Sequence, residues 1–161
     1  MIPAPGGSHD LRAIPYRRVL VGWDASPDSM AALRAAAALA SSAAQGCVVA
    51  MAVLSETHGP EHDDEVSSPV RRVHAVFEST RSAIDIPAGA TISLHTEEGS
   101  HPARTLCEYA HVHGFDLMVL GRHGNGGLLH PKLGHIAHAV ARASEVPVLL
   151  VSTPAGFCGP Q

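Results

Sequence analysis

The chain has 161 residues, enough for one domain with a full-sized hydrophobic core. Apolar residues make up 45 % and aromatic residues only 4 %, which favours closely packed helices on a sheet of aliphatic side chains. The formal net charge of −4 excludes nucleic acid and anionic membrane surfaces as expected partners, because both repel a negative protein.

The chain begins and ends with segments that lack a hydrophobic pattern. Residues 1–15 hold three Pro and two Gly, which predicts a disordered lead-in. A Pro- and Gly-containing stretch at 154–161 predicts a flexible tail. The sequence therefore predicts one domain over residues 16–153.

Aliphatic strands alternate with amphipathic helices along this domain. Two helices have a Ser N-cap followed by Pro, at Ser26 and Ser68. The predicted elements are, in order, a strand over 18–23, a helix over 28–45, a strand over 47–54, a helix that starts after Ser68 and carries Val70, Val73, Phe77 and Ile84, a strand over 90–98, a helix over 101–114, a strand over 116–121, a helix that carries Leu133, Ile136, Ala137 and Val140, and a strand over 146–151.

This alternation predicts an α/β fold, a doubly wound, Rossmann-like parallel sheet of five strands with helices on both faces. In the strand order 3-2-1-4-5, the first and fourth strands flank the point at which the order reverses. Such sheets bind ligands beyond the carboxyl ends of their strands at that point. The loop "WDASPDS" after the first strand and the Gly-rich loop after the fourth are therefore expected to face each other across one crevice.

The Gly-rich loop, "GRHGNGGLLHPKLG" over 121–134, has the composition of a phosphate-binding loop. Gly121, Gly124, Gly126 and Gly127 are expected to allow positive φ and a close approach of backbone N–H groups to an anion. Gly134 precedes the last helix, whose N-terminus favours negative charge. A plain connecting turn is the alternative, although such a connection needs only about 2–6 residues. A Walker A loop is excluded, because Gly127 stands where Lys is required.

The spacing Gly121-x2-Gly124-x9-Gly134 resembles the nucleotide loop of the universal stress protein family, G-x2-G-x9-G-[ST]. The similarity extends over about residues 17–153, with "RRVLVGWDASPDSMAALRAA" similar to the family's opening strand and helix, and "DLMVLGRHGNGGL" and "VPVLLV" to its fourth and fifth strands. The resemblance implies ATP binding, with Mg²⁺ as a candidate companion ion, and a regulatory role in a stress response. It also implies a homodimer through the last strand, 146–151, and no catalytic activity beyond at most weak ATP hydrolysis.

Three residues depart from the family pattern. His135 stands in place of the Ser or Thr after the last glycine, and Ala137 replaces a second small hydroxyl residue. Ala25 replaces a Gly, a change expected to be harmless if its φ stays negative. A protonated His135 would attract phosphate, so nucleotide affinity is expected to rise as the pH falls from about 8 to about 6. Two alternatives stay open: an interaction protein that has lost nucleotide binding, and an enzyme that uses ATP.

The candidate binding residues come from the two loops and the end of the second strand. Asp24 could accept a hydrogen bond from a ribose hydroxyl or help to hold Mg²⁺. Val53 could line a slot for the adenine base, and Arg122 or His123 could screen the charge of the phosphates. The complete set is Asp24, Ala25, Ser26, Val53, Gly121, Arg122, His123, Gly124, Gly126, Gly127, Gly134, His135 and Ile136. Neither a catalytic residue nor a metal site is predicted. His135 and His138 have a workable ligand spacing, but no Cys or acid joins them in a recognisable pattern.

The cysteines at 47, 107 and 158 have no metal-type spacing, which favours reduced thiols in a cytoplasmic protein. No stretch reaches the roughly 18 apolar residues of a membrane span. The basic pair Arg17–Arg18 precedes only a short apolar run, which does not resemble a secretion signal.

Overall fold

The structure is a computed structural model, and it describes residues 16–54, 68–124 and 133–153. The predictions for the lead-in 1–15, for the tail 154–161 and for Gly126 and Gly127 lie outside the described residues.

Nine elements form a parallel α/β fold in the described part of the chain. They are β1 (Arg18–Gly22), α1 (Pro27–Ser41), β2 (Gly46–Leu54), α2 (Pro69–Ala83), β3 (Ala90–Glu98), α3 (Pro102–Val112), β4 (Leu117–Gly121), α4 (His135–Ala143) and β5 (Val148–Val151). All strand pairs are parallel and the order is β3-β2-β1-β4-β5, which confirms the predicted fold class.

Two hydrophobic cores lie on opposite faces of the sheet. Alternate residues of β1 belong to different cores, because successive side chains of a strand point to opposite faces. Val19 and Val21 pack with α1 and with Phe77 of α2. Leu20 packs with side chains of α3 and α4, including Leu106 and Val140. The helices therefore cover both faces, as the sequence predicts.

The first helix ends earlier than predicted, at Ser41 instead of residue 45. A side chain at Gly46 would lie 2.0 Å from the Ala40 carbonyl oxygen, so the chain turns close to the end of the helix. Gln45 has a φ of 62°, which completes this turn and starts β2. The alanine composition of 42–45 favours a helix, but the packing of β2 against the helix end overrides it.

The last strand begins at Val148, two residues later than predicted. The Ser144 hydroxyl donates to the Val146 carbonyl oxygen at 2.7 Å and accepts from the Val146 N–H at 3.1 Å. These bonds hold the residues before the strand in a turn. No helix within 16–54, 68–124 and 133–153 is long and apolar enough to cross a membrane.

Of the two predicted N-cap residues, only Ser26 makes a capping hydrogen bond with its side chain. The Ser26 hydroxyl accepts from the Ser29 N–H at 3.2 Å, so Ser26 caps α1 as expected. Ser68 precedes α2 but makes no side-chain cap bond, and Pro69 alone fits the start of that helix.

Candidate functional site

A cavity of about 590 Å³ opens at the carboxyl ends of β1 and β4. The loops that follow these two strands meet there, at the point where the strand order reverses. A side chain placed on Gly124 would lie 2.8 Å from Asp24 Oδ2, which shows how closely the loops approach. The predicted convergence is confirmed, and the volume lies in the range of small-molecule sites.

The structure brings most of the predicted site residues into the cavity wall. Those that line it are Asp24, Ser26, Val53, Gly121, Arg122, His123, Gly124, Gly134, His135 and Ile136. Ala25 is not among the lining residues, although both of its neighbours are.

Much of the apolar wall was not predicted as a site, although Val53 and Ile136 were. The unpredicted part includes Trp23, Met51, Leu106 and Leu120. In sequence, these side chains look like ordinary core residues, because each lies on a strand, at a strand end or on the apolar face of a helix. The register does place Met51 and Val53 on one face of β2, two residues apart, which is the signal that would have linked them.

Ala25 has a φ of 61°, so the condition under which the change from glycine would be harmless is not met. Asp24 Oδ1 accepts from the Ser26 N–H at 3.0 Å, and Ser26 is committed to capping α1. The residue between them must turn sharply, and it does so in the left-handed region that alanine disfavours. The glycine that the family pattern has at this position would adopt this conformation without strain.

The described glycines of the loop after β4 serve close packing instead of positive φ. Among the described glycines, positive φ occurs at Gly89 and Gly114, so the expectation for Gly121 and Gly124 is wrong. A side chain on Gly121 would lie 2.9 Å from the backbone of Asp28 and of Ser29. The end of β4 therefore needs glycine in order to lie against the first turn of α1.

Asp28, in that first turn, is a central residue that the sequence analysis missed. It is 7 % exposed, and Oδ2 accepts from the His123 N–H at 3.1 Å and contacts His123 Nδ1 at 3.0 Å. Oδ1 accepts from the Thr153 N–H at 2.8 Å and from its hydroxyl at 2.5 Å. An acidic residue in the first turn of a helix is ordinary in sequence, and nothing local marks its distant partners.

The environment of Asp28 favours its charged form. Burial by itself raises the pKa of this carboxyl group, but the hydrogen bonds from Thr153 and His123 outweigh burial and hold the pKa below its ordinary value. A buried, ionised carboxylate with four donors thus joins α1 to the loop after β4 and to the end of β5.

The N-terminus of α4 lies in the cavity wall without a side-chain cap. Gly134 is the N-cap residue and its N–H donates to the Arg122 carbonyl oxygen at 2.9 Å. His135 is the first helical residue, and its side chain is exposed. The first N–H groups of a helix have no partner within the helix, so this end offers donors and a positive dipole to an anion.

Metal-binding side chains do not cluster in the described ranges. No group of three or more His, Cys, Asp or Glu residues there could hold a metal ion. Asp24 is an exposed carboxylate in the cavity wall.

Comparisons with known proteins agree with this geometry. The chain matches the model of the universal stress protein family over residues 15–152. It is 27 % identical to universal stress protein YxiE of Bacillus subtilis (strain 168) over 148 residues, which are 84 % of this chain and 99 % of that protein. The structure of hypothetical protein MJ0577 has a similar fold, with a TM-score of 0.69, 21 % identity, and coverage of 88 % of this chain and 99 % of the other.

A structure of a universal stress protein in complex with cAMP is also similar. It has a TM-score of 0.61 and 25 % identity, with coverage of 86 % of this chain and 98 % of the other. The sequence pattern, the strand order and the match over nearly all of residues 16–153 lead to one conclusion: the chain belongs to the universal stress protein family.

Proposed function

We propose that the crevice binds an adenine nucleotide, ATP in particular, and that the protein acts as a nucleotide-dependent regulatory protein in a stress response. The observation that carries this proposal is the composition of the cavity wall. An apolar side, with Met51, Val53 and Leu106, lies in the same cavity as the uncapped N-terminus of α4.

The two sides of the cavity suit the two ends of a nucleotide. The apolar side chains would accept the flat base, which gains by leaving water. The loop after β4 and the N-terminus of α4 would accept the phosphates, since backbone N–H groups and the helix dipole favour anions. Asp24 would accept a hydrogen bond from a ribose hydroxyl or contact Mg²⁺ bound to the phosphates. A similar structure is described as a complex with cAMP, which supports an adenine nucleotide as the ligand class.

A second candidate function is an interaction protein that no longer binds nucleotide. The specific observation in its favour is His135, whose exposed side chain lies in the cavity wall at the start of α4. This ring occupies the end of the helix that the phosphates would use. Ala137 is buried and supplies no hydroxyl group there.

Calorimetric titration with ATP, ADP, AMP and cyclic AMP separates the two candidates. Trp23 lies in the wall of the cavity, so its fluorescence offers a second readout. Gly124→Val, which fills the space next to Asp24, is the control that should abolish binding. The absence of heat, fluorescence change and thermal shift at millimolar nucleotide would remove the nucleotide proposal and leave the interaction protein.

His135→Ser tests the altered position directly. If the ring obstructs the phosphates, the smaller hydroxyl residue should tighten binding at pH 8. If a protonated ring assists them, the variant should weaken binding at pH 6 and flatten the pH dependence. Equal affinities of both proteins from pH 6 to pH 8 would show that His135 does not contact the ligand.

We also propose a homodimer that pairs through β5. This strand lies at the edge of the sheet, and Leu149 is 37 % exposed. An apolar edge strand with open N–H and C=O groups favours pairing with a second copy, and two-fold symmetry closes such an assembly.

The free thiols of Cys47 and Cys107 fit a cytoplasmic protein.

A further inference from the structure

The Asp28 carboxylate joins a residue of the cavity wall to a residue outside it. His123 lines the cavity, whereas neither Asp28 nor Thr153 does. The contacts divide by oxygen: Oδ2 lies against the backbone N and ring Nδ1 of His123, and Oδ1 against the backbone N and hydroxyl of Thr153. Each carboxylate oxygen therefore has two partner atoms in one residue. Because both residues are bonded to the same carboxylate, a movement of His123 is transmitted through Asp28 to Thr153.

This arrangement determines the tautomer of His123. An ionised carboxylate can only accept hydrogen bonds, so Nδ1 must carry the proton that points at Asp28. The other ring nitrogen, Nε2, is buried and has no hydrogen-bond partner in the part of the chain that the structure describes. A buried polar atom of this kind calls for an explanation, and a bound ligand or water is one.

The end of β5 is tied to the same loop by the backbone. The Arg122 N–H donates to the Val151 carbonyl oxygen at 2.7 Å. Arg122 directly precedes His123 in the chain, and Val151 lies two residues before Thr153. The loop after β4 and the end of β5 are thus held together by one backbone bond and by the shared carboxylate.

We propose that Asp28 and Thr153 are positioning residues for His123, and that they couple ligand binding in the crevice to the end of edge strand β5. Asp28 holds the ring as the Nδ1–H tautomer, which leaves Nε2 as an acceptor for a donor group of the ligand, such as a ribose hydroxyl. Thr153 anchors the carboxylate from the opposite side. The ligand part of this inference rests on the proposed nucleotide function, whereas the positioning of His123 does not.

The first test needs no ligand. Proton–nitrogen NMR spectra of the imidazole rings, with the His123 signal identified by its loss in His123→Gln, should show the Nδ1–H tautomer in the full chain. Asp28→Asn should shift this ring towards the Nε2–H form, because an amide offers one acceptor oxygen where the carboxylate offers two. Thr153→Val should also shift the His123 signal, although it alters a residue outside the cavity. Thr80→Val, which removes a hydroxyl bonded within α2, is the matched control.

The second test measures coupling to the cavity. Thr153→Val should weaken ATP affinity by about fivefold, the lower end of typical coupling between two sites. Thr153→Ser keeps the hydroxyl and should restore the affinity, and Thr80→Val should leave it unchanged. Hydrogen exchange at 148–153 should slow when ATP binds to the wild-type protein.

The outcomes separate the two proposals. An unchanged His123 tautomer in Asp28→Asn, or equal effects of Thr153→Val and Thr80→Val on its signal, would overturn the positioning role. ATP binding that Thr153→Val leaves unchanged would overturn the coupling. If ATP does not bind but the ring signals respond as expected, the nucleotide function fails while the positioning of His123 is supported.

Discussion

Ala25 carries local backbone strain next to the cavity. Its φ of 61° is imposed from both sides, because Asp24 accepts from the Ser26 N–H and Ser26 caps α1. A left-handed conformation costs a residue with a Cβ about 1–2 kcal/mol, whereas glycine adopts it freely.

Ala25→Gly should therefore raise the free energy of unfolding by about 0.5–1 kcal/mol, after the extra entropy of glycine in the unfolded chain is subtracted. Chemical denaturation measures this change. Ala38→Gly, at an exposed position inside α1, is the control and should lower the free energy of unfolding by about 1 kcal/mol. Equal losses in both variants would contradict the strain at Ala25.

The Asp28 carboxylate links stability to pH at the scale of one residue. Its pKa is lowered in the folded state, so its stabilising effect is present above the unfolded pKa of about 3.9 and is lost as the pH falls through the folded pKa. Asp28→Asn should lower the free energy of unfolding at pH 7 by about 2–4 kcal/mol, because hydrogen bonds to a buried charge are lost. The difference from wild type should shrink below about pH 4.

Denaturation of both proteins between pH 2 and pH 7 checks this prediction. Asp85→Asn, at an exposed position after α2, is the control and should behave as wild type. A constant difference between Asp28→Asn and wild type across this range would show that the charge of Asp28 is not what stabilises the fold.

At the scale of the elements, β4 and its loop contact α1 and the loop after β1 through glycines with different roles. Gly121 lies against the backbone of α1, which cannot move aside. Gly124 lies against the end of the Asp24 side chain, which can rotate away. One glycine is thus required for packing, and the other for the shape of the cavity.

Alanine substitutions should separate these roles. Gly121→Ala should lower the free energy of unfolding by about 1–3 kcal/mol, since an added methyl group strains a close-packed contact. Gly124→Ala should change it by less than about 1 kcal/mol but should weaken ATP binding, because it displaces Asp24. Thermal unfolding and nucleotide titration of both variants measure the two effects, and a larger stability loss in Gly124→Ala would reverse these assignments.

At the scale of the whole molecule, the two sheet edges differ. β5 is short, with four residues, and carries the exposed apolar side chain of Leu149, whereas β3 at the other edge has nine residues and more polar side chains. Pairing of two copies through β5 would place Thr153, and with it the Asp28 carboxylate, next to the dimer interface.

Leu149→Lys should shift the protein from dimer to monomer, because a lysine on each copy places like charges next to the paired edge. Sedimentation velocity at micromolar concentration measures the change. Val76→Lys, at a position 45 % exposed on α2, is the matched control and should leave the assembly unchanged. A wild-type protein that sediments only as a monomer would exclude the dimer.

The sequence by itself determined the elements, their order and the place of the crevice. Hydrophobic periodicity and the Ser26–Pro27 cap are local signals, and a parallel α/β alternation leaves few topologies. The glycine spacing likewise pointed to the loop after β4, because close approach needs small residues wherever it occurs in the fold.

The tertiary structure alone decided which distant groups share one site. Asp28 and Thr153 are 125 residues apart, and their contact depends on β5 lying next to β4, which no local pattern records. The φ of Ala25 and the end of α1 at Ser41 were likewise decided by packing and hydrogen bonds around them. Propensities act over a few residues, whereas a buried carboxylate with four donors exists only once three segments of the chain have come together.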